Sequence, residues 1–169
     1  MVQKYVRGIT LVETLIYLAL FTIVVGGLLA SAYALFESND RNQTKAMMQM
    51  EQDFLIAKID WALGGAESVS VPTDSRLSVT LWDASIGNPV QICLSGTAMR
   101  LSLEGVSCET LGDVLNNGNV HISNLVFIHV KGAGIGAPER VEAGFTISAT
   151  TPNGMTISQI ASTTRYIRS

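Results

Sequence analysis

The chain has 169 residues, of which 47% are hydrophobic and only 15% are charged. A typical soluble domain carries about 25% charged residues, so a membrane-like segment beside a single ordinary domain is the simplest reading of this composition. The net charge is -3 and the basic residues are scattered, which argues against a nucleic-acid surface, and two cysteines are too few for a disulfide scaffold.

The N-terminus combines a short basic leader with a long apolar segment. Lys4 and Arg7 precede Gly8, and in residues 9–36 the only charged side chain is Glu13. As a helix this segment would be ~42 Å long, which exceeds the ~30 Å hydrocarbon core of a bilayer. Because basic residues on a short leader stay in the cytoplasm, the rest of the chain is predicted to point outward.

Glu13 is the most informative residue of this segment. A carboxylate inside a membrane-length helix costs about 2.5–3.5 kcal/mol on insertion scales and usually has a partner or a function. No cation is available on the apolar side of Gly8. Cleavage after Gly8 would create a new amine on Ile9, and the same amine on a neighbouring copy could pair with Glu13 in an assembly.

Residues 4–13, with the sequence Lys-Tyr-Val-Arg-Gly-Ile-Thr-Leu-Val-Glu, resemble the class III signal of type IV prepilins and type II secretion pseudopilins. The resemblance implies that a membrane prepilin peptidase cuts between Gly8 and Ile9 and methylates the Ile9 amine. Glu13 would then pair with the amine of the adjacent subunit during assembly, and Thr10 and Leu11 also suit the family pattern. The implied partners are other pilin or pseudopilin subunits, an inner-membrane assembly platform and membrane lipid.

Two other readings of the N-terminus stay open. An ordinary secretory signal could be cut near residues 30–34, where the small residues resemble a signal-peptidase site. Its apolar region would be unusually long, however, and Glu13 fits it poorly. A plain single-pass anchor fits the length but leaves Gly8 and Glu13 unexplained.

The helix is predicted to continue beyond the membrane to residue 63. Residues 37–63 contain no Pro and no Gly, and the pair Gly64-Gly65 supplies a stop. Apolar side chains recur every three or four positions, which predicts one helical face that packs on a sheet. That stripe consists of Met47, Met50, Phe54, Ala57 and Trp61.

After Gly65 the apolar period changes to two, which predicts antiparallel strands with one solvated face. Alternation marks strands near residues 77–82, 90–94, 99–103 and 120–130, and residues 145–150 and 155–160 flank a turn at 151–154. Residues 95–98 are predicted to close a hairpin. In the strand near 120–130, one face is predicted to carry Val120, Ile122, Val126, Ile128 and Val130. Residues 111–119 and 132–138 are predicted loops.

No catalytic motif, metal site or cofactor site is predicted. His121 and His129 share strand parity but lie ~26 Å apart on a continuous strand, too far to bind one metal. Cys93 and Cys108 are predicted to form a disulfide outside the cytoplasm, with two unpaired thiols as the alternative. Hairpin pairing places Cys93 opposite Arg100, so the chain beyond residue 105 must fold back to reach it.

These patterns together predict an α+β fold in which a long N-terminal helix packs on an antiparallel sheet of five to seven strands. The predicted segments are a cleaved leader (1–8), a transmembrane or filament-core helix (9–36), its amphipathic continuation (37–64) and an extracytoplasmic β-rich head (65–169). The ending 162–168 loosely resembles the last strand of J-type minor pseudopilins, which favours a minor subunit.

The predicted function is that of a structural subunit of a type IV pilus or secretion-like pseudopilus, held in the inner membrane and displayed outside after assembly. The alternative is a membrane-tethered or secreted β-rich binding domain that does not polymerise. Loss of Lys4 and Arg7 would leave 9 basic against 14 acidic side chains, or -5, so binding of nucleic acid by bulk charge is not expected.

Overall fold

The computed structural model describes residues 10–132 and 138–167. Its first element is α1, a 54-residue helix over Leu11–Gly64. The chain divides into two compact units, with the boundary between Arg41 and Asn42. We call the second unit, which begins at Asn42, the head unit. The long helix predicted from residue 9 to residue 63 is thus confirmed over its described part, and the predicted Gly-Gly stop coincides with its end.

In the described part of the chain, eight strands and one short helix follow α1. Their bounds are β1 (Ala66–Thr73), β2 (Arg76–Leu81), β3 (Val90–Ser95), β4 (Ala98–Ser102), α2 (Cys108–Leu111), β5 (Asp113–Val114), β6 (Val120–Val130), β7 (Arg140–Thr150) and β8 (Thr156–Tyr166), with a 3-10 turn at Ala84–Ile86. The predicted α+β class with antiparallel strands is confirmed.

The strands form two antiparallel sheets, which differs from the single sheet of five to seven strands predicted from the sequence. The first sheet has the order β1-β2-β3-β4-β5, and the second has the order β6-β7-β8. The predicted hairpin between β3 and β4 has the expected register, in which Cys93 faces Arg100. Strand β1 was not predicted, because most of its side chains are polar or exposed.

One hydrophobic core joins the second part of α1 to both sheets. Alternate side chains of β2, β3, β6 and β7 point into it, and β8 adds Ala161. The helix contributes Met48, Leu55, Ile59, Ala62 and Leu63. A buried amide also lies beside this core: Asn116 accepts from the Met99 N–H at 2.8 Å and donates to the Val120 carbonyl at 2.6 Å.

A β-bulge in β6 overturns the prediction that its five apolar residues share one face. The register shifts between Ser123 and Val126, and Asn124 has a φ of 51°, a left-handed conformation that Asn adopts more readily than most residues. Because one extra residue reverses the alternation, Leu125 and Phe127 become buried, whereas Val126 and Ile128 are exposed.

The predicted loops are only partly loops. Residues 111–119 contain the last residue of α2 and the two-residue strand β5. Of the predicted loop 132–138, residues 133–137 lie outside the described residues. The predicted turn at 151–154 is present, with Gly154 at a φ of 83° and the Thr151 hydroxyl donating to the Met155 carbonyl at 2.9 Å.

Candidate assembly site

The start of α1 is organised by a capping residue. The backbone N–H of Glu13 donates to Thr10 Oγ1 at 3.3 Å, and Thr10 directly precedes the first helical residue, Leu11. A Thr followed three positions later by Glu is the sequence signature of a capping box. Thr10 therefore fixes where the helix begins, two residues after the predicted cleavage point.

Glu13 has a hydrogen-bond partner within its own helix. Tyr17 lies one turn further along, and its hydroxyl donates to Glu13 Oε1 at 3.3 Å. The bond satisfies one acceptor of the carboxylate but supplies no positive charge, so it does not remove the cost of placing that charge in lipid. The spacing of four residues between Glu and Tyr was the available signal for this pair, and the sequence-based prediction had considered only cations as partners.

The first part of α1 has the surface of a membrane segment. Among the described residues 11–36, Glu13 is the only charged one, and the apolar side chains are almost all exposed. An 18-residue window of this helix is apolar enough to cross a membrane. So large an exposed apolar surface needs lipid or other helices to cover it.

The remaining residues of the predicted processing site lie outside the described residues. These are the basic positions Lys4 and Arg7 and the two sides of the predicted cut, Gly8 and Ile9. Leu11, also assigned to assembly, is the first residue of α1 and is exposed.

The second part of α1 buries a different face from the one predicted. Leu55 and Ile59 are completely buried, whereas Met50 is 74% exposed and Phe54 and Trp61 are each 43% exposed. The predicted stripe therefore faces away from the sheets, except for Met47, which packs partly against the core. The helix is apolar on two faces, so the spacing of apolar residues alone does not show which face packs on the sheets.

We call Met50, Phe54, Ala57 and Trp61 the outer stripe. Its two rings share one cation, because Lys58 Nζ lies 5.4 Å from the centre of the Phe54 ring and 6.0 Å from that of Trp61. Such contacts are worth about 0.5–1 kcal/mol at exposed sites. The stripe is thus an ordered apolar surface of the head unit that the chain itself leaves uncovered.

The two cysteines are joined. Cys93 on β3 and Cys108 at the start of α2 form a disulfide with a Cα–Cα distance of 6.1 Å. The chain folds back after β4 as the hairpin register requires, and both cysteines are buried. Arg76 of β2 pairs with Glu109 next to the bond. The disulfide fastens α2 onto the first sheet.

The histidines do not form a common site. His121 lies 3.3 Å from the Thr97 hydroxyl, while His129 pairs with Glu139. Because the bulge in β6 reverses the alternation between them, they lie on opposite faces of the strand, not on the same face as predicted. Within residues 10–132 and 138–167, no group of three His, Cys, Asp or Glu side chains could hold a metal ion.

A cleft of about 450 Å³ lies beside the end of α1. Its lining residues are Leu63, Gly64, Thr164, Arg165 and Tyr166. None of them is a carboxylate, a histidine or a cysteine.

Comparison with known proteins gives a match on the N-terminal segment. Residues 3–29 match the family model described as the prokaryotic N-terminal methylation motif. No curated protein and no solved structure matches the chain. The matched residues include the leader, the predicted cut and Glu13. The match supports the interpretation of this segment as the class III signal of a type IV pilin-like prepilin, the kind of signal that prepilin peptidase processes.

Proposed function

We propose that this chain, a pilin-like prepilin by its N-terminal signal, is a structural subunit, of the minor class, of a type IV pilus or a type II secretion-like pseudopilus. Prepilin peptidase cleaves it between Gly8 and Ile9 and methylates the new amine. The mature subunit then joins other pilin-like subunits through α1, with an inner-membrane assembly platform and membrane lipid as its other partners.

The observation that carries this proposal is the position of Glu13. It is exposed on a helix whose other described residues as far as residue 36 are uncharged, and among the residues that the structure describes its side-chain partner is the neutral Tyr17 hydroxyl. A carboxylate in this setting is costly in a lone membrane-spanning helix. The methylated Ile9 amine of an adjacent subunit would supply the missing positive charge, so the pair favours the assembled state over the single subunit.

The outer stripe supports a second contact in the same assembly. Met50, Phe54 and Trp61 lie on the head unit and face away from its core. Their spacing of four and seven residues gives a continuous helical ridge, the form in which helices pack against one another. We propose that helices of adjacent subunits cover this ridge.

The β-rich head is placed outside the cytoplasm in this proposal. The basic leader favours a cytoplasmic N-terminus, and a buried disulfide in the head fits an oxidising compartment. The minor class rests on the resemblance of residues 162–168 to J-type subunits. In the structure, residues 162–166 form the last part of β8.

The test is the Glu13→Ala variant, expressed in a host with the assembly machinery. Removal of the carboxylate should leave membrane insertion unchanged or improved, and should strongly reduce the protein in sheared filaments or in crosslinked subunit complexes. Glu37→Ala is the matched control, because Glu37 also lies on α1 and pairs only with Arg41 at 2.9 Å. That control should assemble normally.

The two functional readings give different results in this experiment. If Glu13→Ala assembles as well as the unchanged protein, the carboxylate has no role in assembly. If neither the unchanged protein nor the variant enters filaments or crosslinked complexes, a membrane-tethered binding domain becomes the better account. If the variant fails to insert, the argument from insertion cost is wrong.

A further inference from the structure

Three of the four sheet edges in the described head are covered or carry features that disfavour pairing with another strand. Strand β1 carries Pro72 and two register shifts, and β5 has only two residues. The free side of β6 is occupied by turns of the other sheet: Ile122 N–H donates to the Thr97 carbonyl at 2.9 Å, and Phe127 N–H donates to the Asp74 carbonyl at 2.7 Å. These are usual ways of protecting a sheet edge from pairing with another chain.

The fourth edge, β8, has almost no such protection. It pairs with β7 through eleven consecutive residues without a register shift, and none of the described residues pairs with its other side. Residues 156–164 contain no charge, no Pro and no Gly. Near the middle of the strand, Ile160 is 79% exposed.

The last part of β8 lies next to α1. Thr163 Oγ1 donates to Asp60 Oδ1 at 3.3 Å. The Arg165 guanidinium lies close to Gly64, where an added Cβ would be 3.7 Å from Nη2. The position next to α1 explains why β8 carries a charge here. Arg165, the only charged residue of β8, lies where a cation complements the C-terminal end of the helix. The open part of the edge is therefore residues 156–162.

We propose that residues 156–162 form an antiparallel strand pair with the same segment of a second copy of this chain. In a register centred on Gln159, Ile160 of one copy faces Ser158 of the other. The two Ile160 side chains are then diagonal neighbours on the same outer face, at a distance that long side chains can bridge. No charged residue lies in the paired segment, so like charges never meet.

A second copy of the chain fits this edge because the pairing would end with two copies. Because β1 and β5 disfavour pairing and the free side of β6 is covered, β8 is the best edge that a second head offers for strand pairing. Pairing of β8 with β8 is a two-fold contact that uses the open edge of both copies and ends at two. The chain can tolerate the unprotected edge of β8, because the dimer covers this edge in both copies and does not start an open-ended sheet.

The expected dimer is weak in solution and favoured on a membrane. Seven residues per copy bury far less than the about 1,600 Å² of a standard stable interface. Subunits anchored in one membrane, however, meet at a high effective concentration. The pairing needs the anchor and the folded head, but it does not need cleavage after Gly8 or assembly of a filament.

The test is cysteine crosslinking of the full-length protein in membranes. In Gln159→Cys the new thiol lies at the centre of the proposed pair, and the native cysteines are already bonded to each other. Mild oxidation should give a product of twice the subunit mass. Thr164→Cys, on the same strand but outside the paired segment, is the matched control and should crosslink at least several-fold less.

A second variant tests the contact itself. Ile160→Lys, introduced into Gln159→Cys, places two positive charges at diagonal positions and should reduce crosslinking several-fold. Because Ile160 is exposed, the head should still fold, which its protease resistance would verify. The inference is overturned if both cysteine positions crosslink equally, if neither does, if Ile160→Lys has no effect, or if the product contains a different protein.

The membranes should come from a host without prepilin peptidase. There, a crosslinked dimer supports the strand pairing even if the filament proposal fails. Absence of the dimer contradicts the pairing and leaves the filament proposal untouched.

Discussion

Two alanine substitutions five residues apart on α1 separate the buried helical face from the outer stripe. Leu55 is fully buried among residues of both sheets, whereas Met50 is 74% exposed. Leu→Ala at a buried site removes the transfer free energy of the side chain and leaves a cavity, at a total cost of about 2–5 kcal/mol. Met50→Ala loses only the quarter of its surface that is buried, and full burial of such a side chain is worth about 1.5–3 kcal/mol, so its cost should be below ~1 kcal/mol.

The measurement is urea denaturation of the full-length protein in a mild detergent, followed by pulse proteolysis of the head. Leu55→Ala should lower the free energy of unfolding by at least ~2 kcal/mol, and Met50→Ala should leave it almost unchanged. The same Met50→Ala variant should reduce assembly in the host if the stripe contacts other subunits. A destabilising Met50→Ala together with a neutral Leu55→Ala would show that the helix packs through the other face, and the reasoning would be refuted.

Substitutions at three further features of the head, namely the disulfide, the buried amide and the bulge, test each of them. Replacement of both Cys93 and Cys108 by serine should lower the free energy of unfolding by roughly 3 kcal/mol in the loop-entropy model, and unfolding of the unchanged protein with and without reductant gives an independent value. Asn116→Ala leaves two buried backbone groups without partners and should cost at least ~1–3 kcal/mol, whereas a neutral result in the same denaturation assay would mean that water replaces the amide. At the bulge, Asn124→Gly should be tolerated, while Asn124→Val should destabilise the head by about 1–2 kcal/mol because a β-branched residue resists positive φ; equal stability of the two variants would contradict the assigned backbone conformation.

The existence and length of α1 could be predicted, but the face it buries could not. Residues 11–64 contain no Pro and end at a Gly pair, and these local signals determine where a helix runs. In the second part, Leu55 and Ile59 form one apolar face, and Met50, Phe54 and Trp61 form another. Periodicity detects both faces equally, and only packing against the two sheets selects between them.

For the strands, too, the features that local sequence determines could be predicted, and the features that depend on tertiary structure could not. The hairpin between β3 and β4 could be predicted with its register, because a short loop with Gly96 at a φ of 63° fixes the pairing locally. The bulge at Asn124 could not, since one inserted residue leaves the composition of β6 unchanged. The end of β8 is polar and exposed, so it lacks the apolar alternation by which strands are recognised. In β1 only Val69 and Val71 alternate with serines, which is a short run beside its polar and exposed residues.

At the candidate assembly site, Glu13 can be predicted from its cost in a membrane and its spacing from Gly8, and its role in assembly stays a prediction. Its bond with Tyr17 cannot be predicted from opposite charge, because the partner is a neutral hydroxyl one turn away. The capping role of Thr10 follows from the Thr-x-x-Glu spacing.

The central claim is that the chain is processed as a prepilin, and the N-terminus of the membrane-bound protein tests it most directly. Intact mass and N-terminal sequence should be determined for protein recovered from membranes of a host that carries prepilin peptidase. We predict a chain that begins at Ile9 and is heavier by one methyl group. A chain that begins near residues 31–35 would instead show removal of a secretory signal, and an intact Met1 would show a plain membrane anchor; either result would contradict the account.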